Sequence, residues 1–230
     1  MSKTKIAVLS GAGISEESGI GTFRGAGGLW EGHKVEDVAT PDGWNKNKEL
    51  VLRFYNQRRA LLQTVKPNRA HLEIKEWEEN FDVTVITQNV DDLHERAGSS
   101  NIIHLHGELN KVRSTGDPSL IYEWEKDLSI EDFCEKGYPL RPHIVWFGES
   151  VPLFEEAEKI VSSADVLVVV GTSLKVYPAA GLIYSVKNNV PVFVVDPNNV
   201  APNKANIHHV NKKATEGLAI ITEELKKRYV

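Results

Sequence analysis

Short, uninterrupted runs of β-branched and aliphatic residues recur along the whole chain, and they constrain its fold more than any other feature. A continuous apolar run of this length is typical of a strand buried on both faces of a parallel sheet. Amphipathic helical stretches fall between several runs, which indicates an α/β fold with helices on both faces of the sheet. The predicted strands are residues 5–9, 83–87, 102–105, 165–170 and 192–195, and the predicted helices are residues 153–162, 179–187 and 216–228, with a further helix opening in 14–18.

Polar or glycine-rich residues follow every predicted strand at its carboxyl end. In open parallel sheets, ligands bind in the crevice outside those ends. The shared position of these clusters therefore predicts one binding site along a single edge of the sheet. The clusters are Ser10-Gly11-Ala12-Gly13, Gln88-Asn89, His106-Gly107, Gly171-Thr172-Ser173 and Asp196.

Two stretches interrupt the alternation of strands and helices. Residues 29–80 are helical, with tryptophans and turns, and residues 108–142 are irregular and rich in turn residues. We expect both to form a small inserted lobe. The larger domain then comprises residues 1–28, 81–107 and 143–230.

Composition excludes several classes of protein. The net charge of −5 comes without a basic patch, so we expect no binding to nucleic acid. The first residues carry no signal-peptide core and the apolar runs are only strand-length, so we expect a soluble, cytoplasmic protein with no membrane segment. A single cysteine, Cys134, can form neither an intrachain disulfide nor a four-cysteine zinc site. The oligomeric state stays open.

Gly11-Ala12-Gly13 is the first candidate nucleotide-binding element. Two glycines allow a tight turn and close approach to a ligand, and a helix starting after them would present free N–H groups to a diphosphate. The full dinucleotide fingerprint is not met, because Glu16 stands where the third glycine is expected. A plain strand-to-helix turn is an equal interpretation, and a bound dinucleotide would not be held as in a hydride-transfer enzyme.

Three other positions could bind the same nucleotide. Gly171-Thr172-Ser173 offers hydroxyls and N–H groups to phosphate or ribose, although the segment alone is also an ordinary turn. Asp196 could accept hydrogen bonds from ribose or adenine, or be a solvated loop carboxylate. Arg24 could reach a phosphate, or be a surface charge.

Taken in order, these motifs resemble the sirtuin family, and the spacing agrees from about residue 5 to residue 196. That resemblance implies a Rossmann-like α/β fold with NAD as co-substrate, and it is closest to the bacterial class III deacylases. The matching segments are Gly11-Ala12-Gly13-Ile14-Ser15, Ser18-Gly19-Ile20, Thr22-Phe23-Arg24, Thr87-Gln88-Asn89-Val90-Asp91, His106-Gly107, Trp146-Phe147-Gly148-Glu149 and Gly171-Thr172-Ser173.

The resemblance implies an enzyme that removes acyl groups from the lysines of peptides or proteins, releasing nicotinamide and O-acyl-ADP-ribose. It assigns His106 as general base and Asn89 as the group that orders the ribose. An imidazole suits the first role because its pKa lies near neutrality. Asp91 would hold the nicotinamide carboxamide, with Gln88 beside it. The other implied cofactor-binding residues are Gly11, Ala12, Gly13, Ser18, Thr22, Phe23, Arg24, Gly171, Thr172, Ser173, Asp196 and Ala214, and the implied substrate-binding residues are Val145, Phe147 and Gly148.

Tyr55 and Arg58 are the residues that could determine which acyl group the enzyme accepts. They are three residues apart on a predicted helix and so share a face. Class III sirtuins use such a pair to bind the carboxylate of succinyl- or malonyl-lysine, which suits the forked guanidinium and the phenol donor. Arg58 could instead be a solvated helix arginine. We expect Ala39 to leave room for a longer acyl chain, with acetyl-lysine still a possible substrate.

The chain departs from the sirtuin pattern between residues 108 and 142, where most members carry a zinc ribbon. With Cys134 alone there, we predict no zinc and no other metal. We expect apolar side chains to hold this lobe, and we assign His104 a structural role. Two other hypotheses stay open, an ADP-ribosyltransferase or NAD glycohydrolase on the same fold and a non-catalytic NAD sensor. The expected lobe contacts are Ile121, Tyr122, Trp124, Phe133 and Tyr138, and the remaining histidines expected at caps or on the surface are His71, His94 and His143.

Overall fold

A computed structural model describes residues 3–22, 29–30, 32–202 and 204–230. The strands are β1 (Lys5–Ser10), β2 (Leu29–Trp30), β3 (His33–Lys34), β4 (Asp82–Thr87), β5 (Ile102–His104), β6 (Gly107–Ser114), β7 (Ile121–Glu123), β8 (Leu140–Ile144), β9 (Val166–Val170), β10 (Val192–Val195) and β11 (Ile207–Val210). The α-helices are α1 (Val35–Val38), α2 (Pro41–Lys46), α3 (Lys48–Thr64), α4 (Arg69–Trp77), α5 (Leu93–Ala97), α6 (Phe154–Ser163) and α7 (Ala214–Tyr229). Within these ranges, no helix is long and apolar enough to cross a bilayer.

The main sheet has the order β11-β10-β9-β1-β4-β5, and each neighbouring pair is parallel. Counted along the chain, this is the doubly wound order 3-2-1-4-5-6, which confirms the predicted Rossmann-like class. The direction of winding reverses between β1 and β9. Their carboxyl ends therefore form the crevice in which ligands of such folds bind.

Alternate side chains of the central strands enter two different cores. Ile6 and Val8 of β1 pack with residues of α4 and α7, whereas Ala7 and Leu9 pack with residues of α6 on the opposite face. Successive strand residues point to opposite faces, so a strand covered on both sides needs an apolar residue at every position. Burial of each large aliphatic side chain contributes about 1.5–3 kcal/mol, which explains why this sheet gave the clearest sequence pattern.

Two predictions about the main domain were wrong, and one strand was missed. Residues 12–18 open no α-helix but form two 3₁₀ turns, Ala12–Ile14 and Glu16–Ser18. The predicted helix at 179–187 is a 3₁₀ segment, Ala179–Tyr184, with Gly181 inside it. A further strand, β11, lies at the edge of the sheet. Its central residues are exposed histidines, so it lacks the apolar run that marks a covered strand.

The segment 108–142 is not irregular, because it contains most of an antiparallel sheet with the order β7-β6-β8. Residues along β6 alternate largely between buried and part-exposed positions, as expected for a sheet covered on one face. A register shift between Gly107 and Val112 interrupts the pairing with β8 and hides the alternation from sequence inspection. This sheet shares an apolar core with α1, α2 and α3, while the exact domain boundaries stay a prediction.

The side chains that hold the small lobe differ from those expected. Tyr122 and Trp124 do pack against its core, but Ile121, Phe133 and Tyr138 are exposed. The buried positions are taken by other apolar residues and by the thiol of Cys134, which donates a hydrogen bond to the Ser114 hydroxyl at 3.3 Å. The apolar members of this core include Val112, Leu128, Leu140 and Ile144.

Candidate active site

A cleft of about 910 Å³ runs along the carboxyl edge of the main sheet and reaches the small lobe. Its size lies at the upper end of the range of about 300–1,000 Å³ that is usual for ligand sites. The ends of β1, β4, β9 and β10 all contribute to its wall. The polar clusters that follow those strands in the sequence therefore meet in one place, as predicted.

The glycines after β1 and β9 allow two backbone turns to touch at the point where the winding reverses. The Gly13 N–H donates to the Gly171 carbonyl at 2.8 Å, and the Gly11 N–H donates to the Val170 carbonyl at 3.0 Å. A Cβ added to Gly13 would lie 2.7 Å from the Gly171 Cα, and Gly171 itself has a φ of +63°. These glycines form the floor of the crevice, because they let the backbone turns after β1 and β9 contact each other directly. The dinucleotide fingerprint does not describe this role.

Most of the predicted nucleotide-side residues line this cleft. Ser18 is an exception, because it is not on the wall and its hydroxyl accepts a hydrogen bond from the Asn68 side chain at 2.9 Å. Phe23 and Arg24 lie outside the described residues. Lys213, just before α7, lines the cleft although no motif marked it. The predicted residues on this side that line it are Gly11, Ala12, Gly13, Thr22, Gly171, Thr172, Ser173, Asp196 and Ala214.

This wall fits a dinucleotide. Hydroxyls of Thr172 and Ser173 and the carboxylate of Asp196 are hydrogen-bonding groups of the kind that ribose requires, and the Lys213 ammonium can neutralise a phosphate. The two tight turns bring backbone close to the ligand space between β1 and β9. Groups suited to sugar and to phosphate are thus present in one crevice of adequate size.

His106 lies after β5, and its ring is fixed in one tautomer. Its Nδ1 is 3.0 Å from the Gln88 carbonyl, which can only accept, so Nδ1 carries the proton and Nε2 keeps its lone pair. Burial lowers the pKa of His106, with the hydrogen bond to Gln88 opposing that effect. The imidazole on the cleft wall is therefore a neutral base at neutral pH.

The glycine after His106 is required by the path of the chain. Gly107 has a φ of +83°, and a Cβ there would lie 2.0 Å from the His143 carbonyl oxygen. The chain turns at this point from the main sheet into the small lobe. This close approach of β6 and β8 explains why glycine follows the histidine.

Asn89 is held by hydrogen bonds from both its side chain and its backbone. Its Nδ2 donates to the Gly11 carbonyl at 3.2 Å and to the Ser15 hydroxyl at 3.1 Å, while its N–H donates to Thr87 Oγ1 at 3.0 Å. Gln88 donates to Thr172 Oγ1 at 3.1 Å. The β1, β4 and β9 turns are thus joined by side-chain amides that also line the cleft.

Asp91 is a buried carboxyl group on the cleft wall. It accepts from the Ser15 hydroxyl at 2.9 Å and from the Leu93 N–H at 3.2 Å. Burial raises the pKa of Asp91 to about 6, despite these hydrogen bonds. Ser15 therefore supports both Asn89 and Asp91, a role that was not assigned from sequence.

His104 supports the same loop from behind. Its Nε2 lies 2.5 Å from Glu95 Oε1 and its Nδ1 lies 3.3 Å from the Asn89 carbonyl oxygen. Burial opposes protonation, but the Glu95 hydrogen bond and charge outweigh it and raise the pKa of His104. By contrast, His94 was expected at a cap or on the surface and is fully buried, with Nε2 3.0 Å from the Ser10 hydroxyl.

Tyr55 and Arg58 lie side by side on α3 and line the lobe side of the cleft. Tyr55 is fully buried, and its hydroxyl accepts a hydrogen bond from the Trp146 indole at 3.0 Å. Arg58 is also buried, with its guanidinium 3.4 Å from the centre of the Phe54 ring. The structure therefore excludes the interpretation of Arg58 as a solvated helix arginine.

The segment 145–149 joins the side of the cleft that holds His106 to the lobe side. The Val145 N–H donates to the His106 carbonyl at 2.9 Å, and the Phe147 N–H donates to the Ala39 carbonyl at 3.0 Å. Gly148 follows with a φ of +91°. Val145, Phe147, Gly148 and Ala39 all line the cleft, so this segment, which follows β8 and ends in a turn, forms the wall between the histidine and α3.

Comparisons with known proteins agree with this geometry. The Sir2 family model matches residues 11–178. An NAD-dependent protein deacylase of Helicobacter pylori strain J99 is 52% identical over 221 residues, covering 96% of this chain and 94% of the relative. The chain belongs to the Sir2 family, whose members are the sirtuins.

Two solved structures show the same fold. A Sir2 homologue in complex with NAD has a TM-score of 0.87 and 38% identity, covering 99% of this chain and 91% of its own. A Sir2 protein with a deacetylated p53 peptide and 3′-O-acetyl ADP ribose has a TM-score of 0.81 and 31% identity, covering 96% and 94%.

Proposed function

We propose that this chain is an NAD-dependent protein-lysine deacylase, which transfers the acyl group of a modified lysine to ADP-ribose and releases nicotinamide. The observation that carries this proposal is the fixed neutral tautomer of His106, on the wall of a cleft that also holds Asn89 and Asp91. A relative of similar length is an NAD-dependent protein deacylase, which supports the same activity here.

When bound, NAD would supply the ribose that receives the acyl group once nicotinamide has left. His106 Nε2 has the free lone pair needed to take a proton from a ribose hydroxyl. The Asn89 side chain adds no charge, and Asp91 offers an acceptor for a carboxamide N–H. Asp196 disfavours NADP, because a carboxylate repels a 2′-phosphate.

We further propose a preference for acidic acyl groups, succinyl or malonyl, with acetyl as a weaker substrate. Buried Arg58 and Tyr55 on the cleft wall support this preference. A guanidinium binds a carboxylate with two parallel hydrogen bonds, and burial strengthens that attraction relative to water. Ala39 has a small side chain at the same wall and leaves room for a longer acyl chain.

The reaction is tested by incubating the protein with NAD and succinyl-, malonyl- and acetyl-lysine peptides and following all masses. Loss of the acyl group with matching O-acyl-ADP-ribose is expected, and His106→Ala should abolish turnover. Gain of ADP-ribose by the peptide would instead indicate an ADP-ribosyltransferase. Peptide-independent release of nicotinamide would indicate an NAD glycohydrolase, and NAD binding without turnover a sensor.

The acyl preference is tested by Arg58→Met, with Arg53→Met on the exposed side of the same helix as the matched control. A charge-assisted hydrogen bond contributes about 1.5–3 kcal/mol, so kcat/KM for the succinyl peptide should fall about 10- to 150-fold. The acetyl peptide and the control variant should change little. Equal losses for both peptides would contradict the assignment of Arg58.

A further inference from the structure

Trp146 donates the indole hydrogen bond that determines how Tyr55 can interact with a ligand. The two side chains are 2% and 0% exposed, and Trp146 Nε1 lies 3.0 Å from the Tyr55 hydroxyl oxygen. An indole N–H can only donate, so the phenol oxygen must accept in this bond. The phenol proton then has to point elsewhere.

The phenol proton has no other partner among the hydrogen bonds of the residues that the structure describes. Burial raises the pKa of Tyr55, so its hydroxyl keeps that proton at neutral pH. Tyr55 can therefore offer a ligand one donor. A ligand group that accepts, such as a carboxylate, satisfies it, whereas an apolar acyl end leaves it without a partner.

The indole is held in place by an ion pair between Arg141 and Glu149. The Arg141 guanidinium lies 3.3 Å from the centre of the Trp146 ring, and the Glu149 carboxylate binds Arg141 at 2.7 and 3.1 Å. The backbone N–H of Trp146 also donates to the Glu149 carboxylate at 2.8 Å. A ring fixed in this way cannot rotate its donor away from Tyr55 without breaking several contacts.

We propose that Trp146 is a positioning residue for acyl selectivity, which acts by holding Tyr55 as a hydrogen-bond donor toward an anionic acyl group. This inference rests on the proposed preference for succinyl- and malonyl-lysine and extends it to a residue that need not touch the carboxylate. Without the indole N–H, Tyr55 can turn its oxygen toward other donors, and its proton is no longer reserved for the substrate.

A double-mutant cycle on full-length protein tests this inference. The quantity compared is the ratio of kcat/KM for succinyl-lysine peptide to kcat/KM for acetyl-lysine peptide. Trp146→Phe removes the donor and keeps an aromatic ring, and we expect the ratio to fall about two- to tenfold, the effect of one hydrogen bond. In a Tyr55→Phe background, the same change should leave the ratio unaltered, because the acceptor is already gone.

Trp44→Phe is the matched control, since Trp44 is a second buried indole of the same core whose ring lies 5.7 Å from that of Trp146. It should leave the ratio unchanged. If Trp146→Phe does not fold, 3-benzothienylalanine at position 146 replaces the N–H by sulfur and keeps the ring shape.

The possible outcomes separate this inference from the proposed function. If Tyr55→Phe and Arg58→Met leave the ratio unchanged, the acidic-acyl preference itself is refuted. If both of them lower it while Trp146→Phe does not, the role of Trp146 is refuted alone. An equal effect of Trp146→Phe with and without Tyr55 would mean that the indole acts by general packing, which also overturns the inference.

Discussion

Replacement of Glu149 by glutamine should weaken the folded state far more than an ordinary surface substitution. Its carboxylate binds Arg141 at 2.7 and 3.1 Å and Arg113 at 3.3 Å, with the Arg113 and Arg141 side chains 15% and 11% exposed. Removing one partner of a buried ion pair costs about 3–5 kcal/mol. The cost is smaller here, because these side chains are partly exposed and water can solvate the arginines that lose their partner. We expect Glu149→Gln to lower the free energy of unfolding by about 2–4 kcal/mol in urea denaturation at pH 7.

The pH dependence of this effect has a definite sign. Burial opposes ionisation of Glu149, but hydrogen bonds from Arg141 and Trp146 outweigh it and lower the pKa of the carboxyl. A carboxyl with a lowered folded-state pKa stabilises the protein above its unfolded-state pKa of about 4.5 and loses that contribution as pH falls through the folded value. The difference in unfolding free energy between wild type and Glu149→Gln should therefore shrink below about pH 4.5.

Glu123→Gln is the control for this prediction. Glu123 lies 3.6 Å from the Lys111 ammonium in the same small sheet, but its side chain is 78% exposed. Exposed ion pairs contribute about 0–1 kcal/mol, so this variant should stay close to wild type. A Glu149→Gln effect no larger than that of Glu123→Gln would refute the argument that this ion cluster stabilises the lobe.

Three further predictions concern the main domain. In pH profiles of kcat/KM, activity should plateau above about pH 7 and fall with a limiting slope of two on the acid side. The reason is that two groups must lose a proton, namely His106, whose pKa burial lowers, and Asp91, whose pKa is about 6. A midpoint above about pH 6.5 would contradict this. Ser10→Ala should lower the unfolding free energy by about 1–3 kcal/mol, since it leaves the buried His94 without its partner, and chemical denaturation would show no change if that bond contributed nothing. Gly13→Ala should disrupt NAD binding in calorimetry, because its Cβ would lie 2.7 Å from the backbone of the β9 turn, whereas Gly181→Ala, with open space around it, should bind normally.

The main sheet could be predicted from sequence because its strands are covered on both faces. β9 is apolar at every position, and each of its residues is buried. β11 was missed because it is an edge strand that is largely exposed, and such a strand needs apolar residues only where a neighbour covers it. Continuous apolar runs therefore identified the covered strands and the apolar edge strand β5, but not the edge strand β11, whose central residues are exposed histidines.

Candidate site residues were predicted best where they directly follow a strand. Asn89 and His106 reach one cleft because parallel strands end on the same side of a sheet. Ser18 was assigned by motif alone, and its hydroxyl instead binds Asn68. A motif shows which residue types occur together, but only the packing decides whether a hydroxyl faces the ligand or the protein.

The small lobe was the least predictable part, because its stability depends on contacts between distant segments. Glu149 lies in a segment that resembles a substrate-binding motif, and nothing in the sequence pairs it with Arg113 and Arg141. The aromatic residues expected in the core, such as Phe133 and Tyr138, are exposed instead. Hydrophobicity alone therefore identified only part of this core, and it gave no sign of the ion cluster around Glu149.

The ion cluster around Glu149 also contacts Trp146, so we expect the stability of the lobe and the proposed acyl selectivity to be linked through Glu149. Glu149 accepts the Trp146 backbone N–H and fixes Arg141 over the indole ring, which in turn donates to Tyr55. Glu149→Gln should then lower the succinyl-to-acetyl ratio of kcat/KM even under conditions in which the variant is fully folded. Destabilisation by itself removes active enzyme for both peptides equally, so a changed ratio reports the altered position of the indole, and an unchanged ratio would confine Glu149 to stability.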